Sequence, residues 1–215
     1  MTSMLVIGLG RFGRNLAVKL AQRNCEVMVI DSDEAAVNHI APDVTNALVG
    51  DCMDETVIAS LGVSNFDVCF MCIGDNFQSS LGITILLKDA GAKHVVAKTD
   101  SELHAKFLKK VGADEVVFPE RDMGFRTAMR YSAAGAFDYI PLSDDYAIME
   151  MATPREWLDK SPRDLQLRTK YGINIIGIKQ GAHITPIIDA ARVFSHDDHL
   201  IVAGANTDIQ KLAKR

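Results

Sequence analysis

A glycine-rich turn near the start of the sequence constrains the fold more than any other feature. The apolar residues 4–7 predict a short buried strand, and Gly8, Gly10 and Gly13 follow it with G-x-G-x-x-G spacing before a helical pattern begins. In such a turn the first glycine permits the sharp bend, the second leaves room for a phosphate group, and the third lets helix and strand pack closely. The sequence therefore predicts a turn that places nucleotide phosphates at a helix N-terminus.

An acidic residue further along the chain supports this interpretation. Asp31 follows the predicted second strand, residues 26–30, and lies 18 residues after Gly13. At about that distance a carboxylate can accept hydrogen bonds from the ribose hydroxyls of a nucleotide. The alternative at this stage is a tight turn between strand and helix that binds nothing.

The sequence up to Phe118 alternates between strand and helix patterns. Further strands are predicted at residues 45–49, 66–73, 94–97 and 115–118, and helices at residues 34–40, 56–61, 76–90 and 101–111. Strict alternation of this kind predicts a parallel sheet with right-handed crossovers and helices on both faces. The expected fold class is α/β, a Rossmann-type doubly wound domain.

Ligands of such a sheet bind beyond the carboxyl ends of its strands. The candidate nucleotide-binding residues are therefore those near strand ends, namely Gly8, Gly10, Arg11, Phe12, Gly13, Asp31, Ser32, Asp51, Cys52, Ile73, Gly74, Lys98 and Glu120. Asp51 and Lys98 could contact base, ribose or phosphate, or equally be loop charges that face water. That choice stays open on chemistry alone.

The alternation stops at Pro119, and a second domain is predicted after it. A helix is expected at residues 120–134, strands at 138–142, 147–151, 173–178, 183–188 and 200–203, one helix between Ser161 and Gly172, and a last helix capped by Asn206 or Thr207. We therefore divide the chain into an N-terminal domain, residues 1–135, and a small α+β domain, residues 136–215. A domain of this size is marginal alone, which favours dimerisation through it.

Composition excludes several classes of protein. The net charge of −5 argues against a nucleic-acid partner, because a phosphate backbone requires a basic face. The longest stretch without a charged residue is the twelve residues 76–87, whereas a membrane-spanning helix needs about 20. Charged residues also interrupt the early apolar stretch, so that no signal peptide is predicted and a cytoplasmic location is expected.

Cysteine and histidine motifs give little support for metal or redox chemistry. Cys69 and Cys72 have C-x-x-C spacing, but they lie in an apolar strand whose geometry sends them to opposite faces. No second pair completes a zinc site. The residues 196–199, His-Asp-Asp-His, are interpreted as a turn before a strand. Buried, unreactive cysteines are the expected outcome.

The sequence lacks the residues of a typical dehydrogenase, since none of its tyrosines is followed four residues later by lysine. We therefore expect a sensor without enzymatic activity. Two alternatives stay open. One is an NAD-dependent oxidoreductase with an unrecognised active site, and the other is an interaction module that is indifferent to nucleotides.

Several segments together resemble a known family. These are the turn Gly8–Gly13, the pair Gly50-Asp51, and residues 112–114, 119–124 and 168–175. They resemble the RCK (regulator of potassium conductance) proteins, the KtrA/TrkA-like cytosolic gating subunits of bacterial Ktr- and Trk-type potassium transporters. The resemblance covers nearly the whole chain, and the order of the two domains agrees with it.

The resemblance implies a ligand, an assembly and a partner. Such proteins form homodimers that commonly assemble into octameric rings at the inner face of the cell membrane, beneath a potassium-translocating subunit. ATP and ADP are the implied ligands, with NAD(H) in Trk-type relatives. By position, Arg11 would reach phosphates, including those of a neighbouring subunit's ligand, and Asp31 would hold the ribose. Glu120 would lie near the dimer axis, where a divalent or monovalent cation could bind with ATP.

The resemblance also implies a second ligand site. Some relatives bind cyclic di-AMP at the dimer interface of the C-terminal domain. Arg168, Asn174, Ile175 and Pro186 lie near the matching positions. Pro162 departs from this pattern, because an aliphatic residue is more usual there.

Overall fold

The computed structural model describes residues 2–132, 136–143, 145–186 and 189–213. The chain forms two compact units, Met1–Arg121 and Asp122–Arg215. The predicted domain boundary between residues 135 and 136 stays a prediction.

The first unit is built on a parallel sheet of six strands. The strands are β1 (Ser3–Ile7), β2 (Glu26–Asp31), β3 (Asn46–Val49), β4 (Val68–Met71), β5 (Val95–Lys98) and β6 (Glu115–Val117). Their order is β3-β2-β1-β4-β5-β6, and every pairing is parallel. The order reverses between β1 and β4, which is the switch point at which such sheets bind ligands. The predicted Rossmann-type fold is confirmed.

Helices cover both faces of this sheet. They are α1 (Arg11–Gln22), α2 (Glu34–Ile40), α3 (Glu55–Ser60), α4 (Phe77–Asp89) and α5 (Glu102–Lys110). Leu5 and Ile7 of β1 pack with residues of α3, α4 and α5, whereas the intervening Val6 packs with residues of α1 and α2. Two hydrophobic cores therefore form on opposite faces, as the period of two along a strand requires.

The cysteines are free thiols in these cores. Cys69 packs on the α3–α5 face and Cys72 on the α1–α2 face. Burial raises the pKa of Cys69 to about 11 and that of Cys72 to about 12. Both thiols are therefore protonated at neutral pH, which agrees with the prediction of unreactive cysteines.

A buried polar pair joins α4 to α5. Ser80 is fully buried and His104 is 3% exposed, with Ser80 Oγ 2.6 Å from His104 Nε2. The Ser80 hydroxyl donates its hydrogen to the Phe77 carbonyl, so that His104 Nε2 carries a proton and donates to Ser80. The other ring nitrogen, Nδ1, lies 3.9 Å from the exposed carboxylate of Asp100. Burial lowers the pKa of His104, and Asp100 opposes this only in part.

The helix after β6, α6 (Pro119–Ser132), begins at Pro119 itself, a position that suits proline because a first-turn N–H has no partner within the helix. The predicted helix extended to residue 134, but residues 133–135 lie outside the described residues.

The second unit contains an antiparallel sheet with helices against one face. The strands are β7 (Ala136–Pro141), β8 (Tyr146–Ala152), β9 (Ile173–Gln180), β10 (His183–Thr185) and β11 (His199–Ala205), in the order β10-β9-β11-β8-β7. A core that includes Met149, Val202 and the fully buried Trp157 lies on one face, where α9 (Asn206–Ala213) also packs. The predicted α+β domain is confirmed. The predicted strand 183–188 ends at Thr185, and residues 187 and 188 are not described.

The prediction of one helix between Ser161 and Gly172 is wrong. Two short helices occur instead, α7 (Pro162–Leu165) and α8 (Leu167–Tyr171), separated by Gln166 at φ 50°. Leu165 and Leu167 are both buried in the core. In a continuous helix, residues two apart point about 200° away from each other. The left-handed residue between them is therefore what lets both leucines enter one core.

A buried carboxylate organises the loop before β11. Asp198 is fully buried and accepts hydrogen bonds from Arg192 at 2.9 and 3.1 Å, from Gln180 at 2.8 Å and from the Ser195 N–H at 2.8 Å. Burial alone raises the pKa of Asp198, but the bonds from Arg192 and Ser195 outweigh it and leave that pKa below its usual value. The turn at residues 196–199 is thus held by an ion pair.

We expect the substitution Asp198→Asn to destabilise the second unit by about 3 kcal/mol, because it leaves the Arg192 guanidinium without its carboxylate. Trp157, the one tryptophan of the chain, lies in this core, so urea unfolding followed by its fluorescence reports on the second unit. The matched control is Asp197→Asn, whose side chain is 94% exposed. Equal unfolding midpoints for the two variants would show that the pair contributes nothing.

We expect His104 to make the first unit less stable as the pH falls. Its folded pKa lies below the unfolded value of about 6.5, so the unfolded chain binds the extra proton first. Stability from this residue is therefore present above about pH 6.5 and decreases as the pH falls below it. The variant His104→Gln keeps a donor for Ser80 and should flatten thermal stability between about pH 7 and 5. An unchanged slope would contradict this.

Candidate functional site

In the glycine turn after β1, backbone atoms of the turn lie very close to one another and to the end of β2. Gly8 has φ 92°, in the left-handed region that favours glycine, and its N–H donates to the Ile30 carbonyl at 2.9 Å. A Cβ at Gly13 would lie 1.9 Å from the Gly8 carbonyl oxygen, so no side chain fits there. At Gly10, the N-cap of α1, a Cβ would meet no atom within 4 Å. The space beside Gly10 is therefore open.

Asp31 ties the end of β2 to this turn. Its Oδ2 accepts a hydrogen bond from the Leu9 N–H, and its Oδ1 accepts one from the Asp33 N–H at 2.8 Å. Each carboxylate oxygen has a second lone pair, so Asp31 can still accept bonds from a pair of hydroxyls. The Asp31 carboxylate thus positions the glycine turn and can still accept the hydrogen bonds that ribose hydroxyls would donate.

Six of the predicted site residues line one small cavity at the carboxyl ends of β1, β2 and β3. They are Gly8, Asp31, Ser32, Asp51, Cys52 and Ile73. The cavity measures about 40 Å³, so only part of a nucleotide could lie within it. Burial, followed by the charges of Asp51 and Asp31, raises the pKa of Cys52 to about 12. Cys52 therefore contributes a neutral, apolar surface.

A second group of predicted residues meets at the β4–β5 side of the turn. Lys98 Nζ lies 3.0 Å from Glu120 Oε1, and the aliphatic part of Lys98 lies against Gly74, where a Cβ would be 3.2 Å from Lys98 Cδ. The hydrogen bond from Lys98 holds the pKa of Glu120 below its usual value, and the positive charge of Arg11 contributes to the same effect. Lys98 and Glu120 therefore form an ion pair at this edge of the sheet, and the charge of Arg11 also acts on the Glu120 carboxylate.

Phe12 differs from the other predicted residues. Its side chain is half-buried and packs against the core beneath α1. Only its backbone is then placed to face a ligand at the start of the helix. Arg11, its neighbour, is exposed.

The pairing of Lys98 with Glu120 was missed by the sequence analysis, although both residues were candidates. A signal for it exists in the sequence, because strands that follow one another along the chain are usually neighbours in a sheet. Lys98 ends β5 and Glu120 follows β6, and these strands are neighbours in the sheet. Residues that follow adjacent parallel strands lie at the same edge, so an ion pair between them could have been inferred.

A larger cavity of about 620 Å³ lies in the second unit. Arg168, Asn174 and Ile175 line it together with Pro162, and Arg168 Nε donates to Asn174 Oδ1 at 2.6 Å. Pro186, the fourth residue suggested by the resemblance, is not among its lining residues. Three of the four residues thus share one cavity.

The described residues contain no group of three or more His, Cys, Asp or Glu side chains that could hold a metal ion. Glu120 is paired with Lys98 instead. Within the described part of the chain, a cation at Glu120 would therefore need further ligands, from the nucleotide or from a second copy. Over the same residues, no helix has the length and apolar character needed to cross a membrane.

The fold and the sequence both match a known family. The family model for the TrkA-N domain matches residues 4–119, and that for the TrkA-C domain matches residues 147–215. The chain is 40% identical to the Ktr system potassium uptake protein C of Bacillus subtilis, across 98% of this chain and 95% of that protein. The chain belongs to the TrkA-N/TrkA-C family of potassium uptake proteins. The family predicted from sequence motifs is thus confirmed.

Other members and solved structures agree with this assignment. The Ktr system potassium uptake protein A of Bacillus subtilis is 36% identical over 96% of this chain and 93% of its own length. The structure of the GsuK RCK domain matches all of this chain with a TM-score of 0.71 at 21% identity, and this chain spans about half (48%) of it. A GsuK channel bound to NAD matches with a TM-score of 0.69 at 20% identity, over 99% of this chain and 38% of that one. These likenesses show a shared RCK fold.

We expect the turn glycines to differ sharply in their tolerance of alanine. Gly13→Ala should destabilise the first unit by about 3 kcal/mol, because its Cβ meets backbone that must shift. Gly10→Ala should change stability by less than about 0.5 kcal/mol, since its φ of −58° suits alanine and the space is open. Thermal unfolding followed by circular dichroism measures both, and equal losses would contradict the geometry described for the turn.

Proposed function

We propose that this chain is a cytosolic nucleotide-sensing subunit that gates a membrane potassium-translocating subunit of the Ktr or Trk type. The observation that carries the proposal is the crevice at the β1–β4 switch point. Asp31 ends β2 on one side of the switch point, Lys98 ends β5 on the other side, and Arg11 begins α1 directly after the turn that follows β1. A nucleotide has the same polarity, with ribose hydroxyls at one end and phosphates at the other. The family assignment supplies the transport context.

The charges favour ATP and ADP over NAD(H) as ligands. Arg11 begins α1, where the helix dipole already favours anions, and Lys98 adds a second positive charge at the same end. Two cations suit the concentrated charge of a di- or triphosphate better than the two-charge pyrophosphate of NAD. Asp31 would repel a 2′-phosphate, which disfavours NADP. NAD(H) remains the second candidate, with the same ribose contact.

The proposed assembly and secondary ligands follow the family resemblance. Homodimers would form an octameric ring at the inner face of the membrane. Within each chain, the boundary between the two domains would lie between residues 135 and 136. A cation held with ATP at Glu120 would need the second copy. Cyclic di-AMP is proposed for the cavity of Arg168, Asn174 and Ile175 in the second unit. We expect regulation rather than catalysis.

Gating requires that the ligand bind two states of the assembly with different affinity. Potassium flux through vesicles that contain both subunits should therefore respond differently to ATP and ADP. Equal flux with both nucleotides and without either would contradict the gating role, even if binding were observed.

We expect ATP to stabilise the protein by about 2.7 kcal/mol at about 100 times its dissociation constant, visible as a rise in melting temperature. Arg11→Gln should weaken ATP binding about 10- to 100-fold, because charge-assisted bonds to phosphate are lost. The matched control is Arg14→Gln, an exposed arginine one turn further along α1, which should bind like the unmodified chain. No thermal shift with ATP, ADP or NADH would refute nucleotide sensing.

A further inference from the structure

A buried histidine joins the starts of the two helices that follow β4 and β5. The helix α4 begins directly after the loop 72–76, which follows β4, and α5 begins directly after residues 99–101, which follow β5. Near the start of α5, His104 is 3% exposed, and its Nε2 lies 2.6 Å from the Oγ of Ser80 near the start of α4. The contact therefore lies behind two loops at the edge of the sheet where a nucleotide is proposed to bind.

A chain of hydrogen bonds connects the imidazole to the loop after β4. His104 Nε2 donates to the Ser80 hydroxyl, which donates in turn to the Phe77 carbonyl at 2.9 Å. The Phe77 ring also packs on the imidazole, with 4.8 Å between the ring centroids. The two loops meet again where a Cβ at Gly74 would lie 3.2 Å from Lys98 Cδ. Holding the first turn of α4 therefore also holds the loop that lies against Lys98.

A second proton on this imidazole would place a positive charge between α4 and α5. Among the described residues, the charged group that acts on the ring is Asp100, whose carboxylate lies 3.9 Å from Nδ1 and is 68% exposed to water. On the α4 side the ring meets the Ser80 hydroxyl and the Phe77 ring, which are both neutral. Burial accordingly lowers the pKa of His104. The protonated ring is therefore better stabilised when it turns from Ser80 toward Asp100 and water.

We propose that His104 is a positioning residue of the nucleotide crevice, whose neutral imidazole holds the starts of α4 and α5 in the arrangement that binds nucleotide. The inference rests on the proposed nucleotide-sensing function and adds a dependence on pH to it. A ligand that binds only the neutral form loses affinity as the pH falls through the pKa of His104. Bound nucleotide must in return lower that pKa, because the coupling is reciprocal.

The test measures ATP binding by calorimetry at about pH 7.5 and about pH 5.5, on either side of an ordinary histidine pKa. The terminal phosphate of ATP also titrates in this range, so the unmodified chain is compared with His104→Gln and the same ligand. Glutamine keeps a donor for Ser80 but takes no second proton. Between the two pH values the dissociation constant should rise about threefold more for the unmodified chain, with about tenfold as the ceiling set by a pKa of about 6.5.

Two further variants separate the proton from the hydrogen bond. The matched control is His94→Gln, since His94 directly precedes β5, at the end of the strand opposite to Lys98, and its side chain is 43% exposed. It should keep the pH dependence of the unmodified chain. His104→Ala lacks the donor to Ser80 and should bind ATP more weakly at both pH values.

NMR titration of the imidazole gives a reading that does not depend on the charge of the ligand. The His104 signal, assigned by its absence from His104→Gln, should titrate at a lower pH when ATP is bound. An unchanged midpoint, or equal pH dependence of ATP binding in His104→Gln and the unmodified chain, would overturn the inference while leaving nucleotide sensing intact. Failure of the unmodified chain to bind ATP, ADP or NADH at about pH 7.5 would instead refute the proposed function, and this inference with it.

Discussion

The contact between Gly13 and the Gly8 carbonyl is the constraint on which the crevice depends. With a Cβ position only 1.9 Å from that oxygen, the first turn of α1 lies directly against the end of β1. This closeness aims the free N–H groups of the helix at the switch point between β1 and β4. Arg11 stands at the start of this helix, and Asp31 holds the turn through the Leu9 N–H. The remaining site residues are arranged around that turn by the order of the strands.

The two sides of the crevice differ in charge. On the β2–β3 side, Asp31 and Asp51 lie with the neutral thiol of Cys52, which provides acceptors and an apolar floor. On the β4–β5 side, Lys98 is paired with Glu120, and the charge of Arg11 acts on the same carboxylate. Ribose hydroxyls donate hydrogen bonds to carboxylates, whereas phosphate oxygens accept hydrogen bonds from cationic side chains. The charges would therefore orient the proposed nucleotide with its ribose toward Asp31 and its phosphates toward Lys98.

Much of this could be predicted from sequence, because local patterns carry it. The alternation of strands and helices fixed the parallel sheet, and the spacing of the glycines fixed the turn. The break at Gln166 could not be predicted, since the burial of Leu165 and Leu167 in one core is a tertiary effect that overrides the helical pattern. The hydrogen-bond partners of Asp198 could not be predicted from the sequence either. Arg192 and Gln180 lie on separate segments, and no local pattern joins them.

Exposure decides how firmly two of the ion pairs in the described residues are held. In the pair Arg192–Asp198 the carboxylate is fully buried, and breaking such a pair costs about 3–5 kcal/mol, so it stays closed and serves stability. In the pair Lys98–Glu120 the carboxylate is 68% exposed, and such pairs contribute at most about 1 kcal/mol. The exposed pair can therefore open at little cost in free energy, whereas the buried pair cannot.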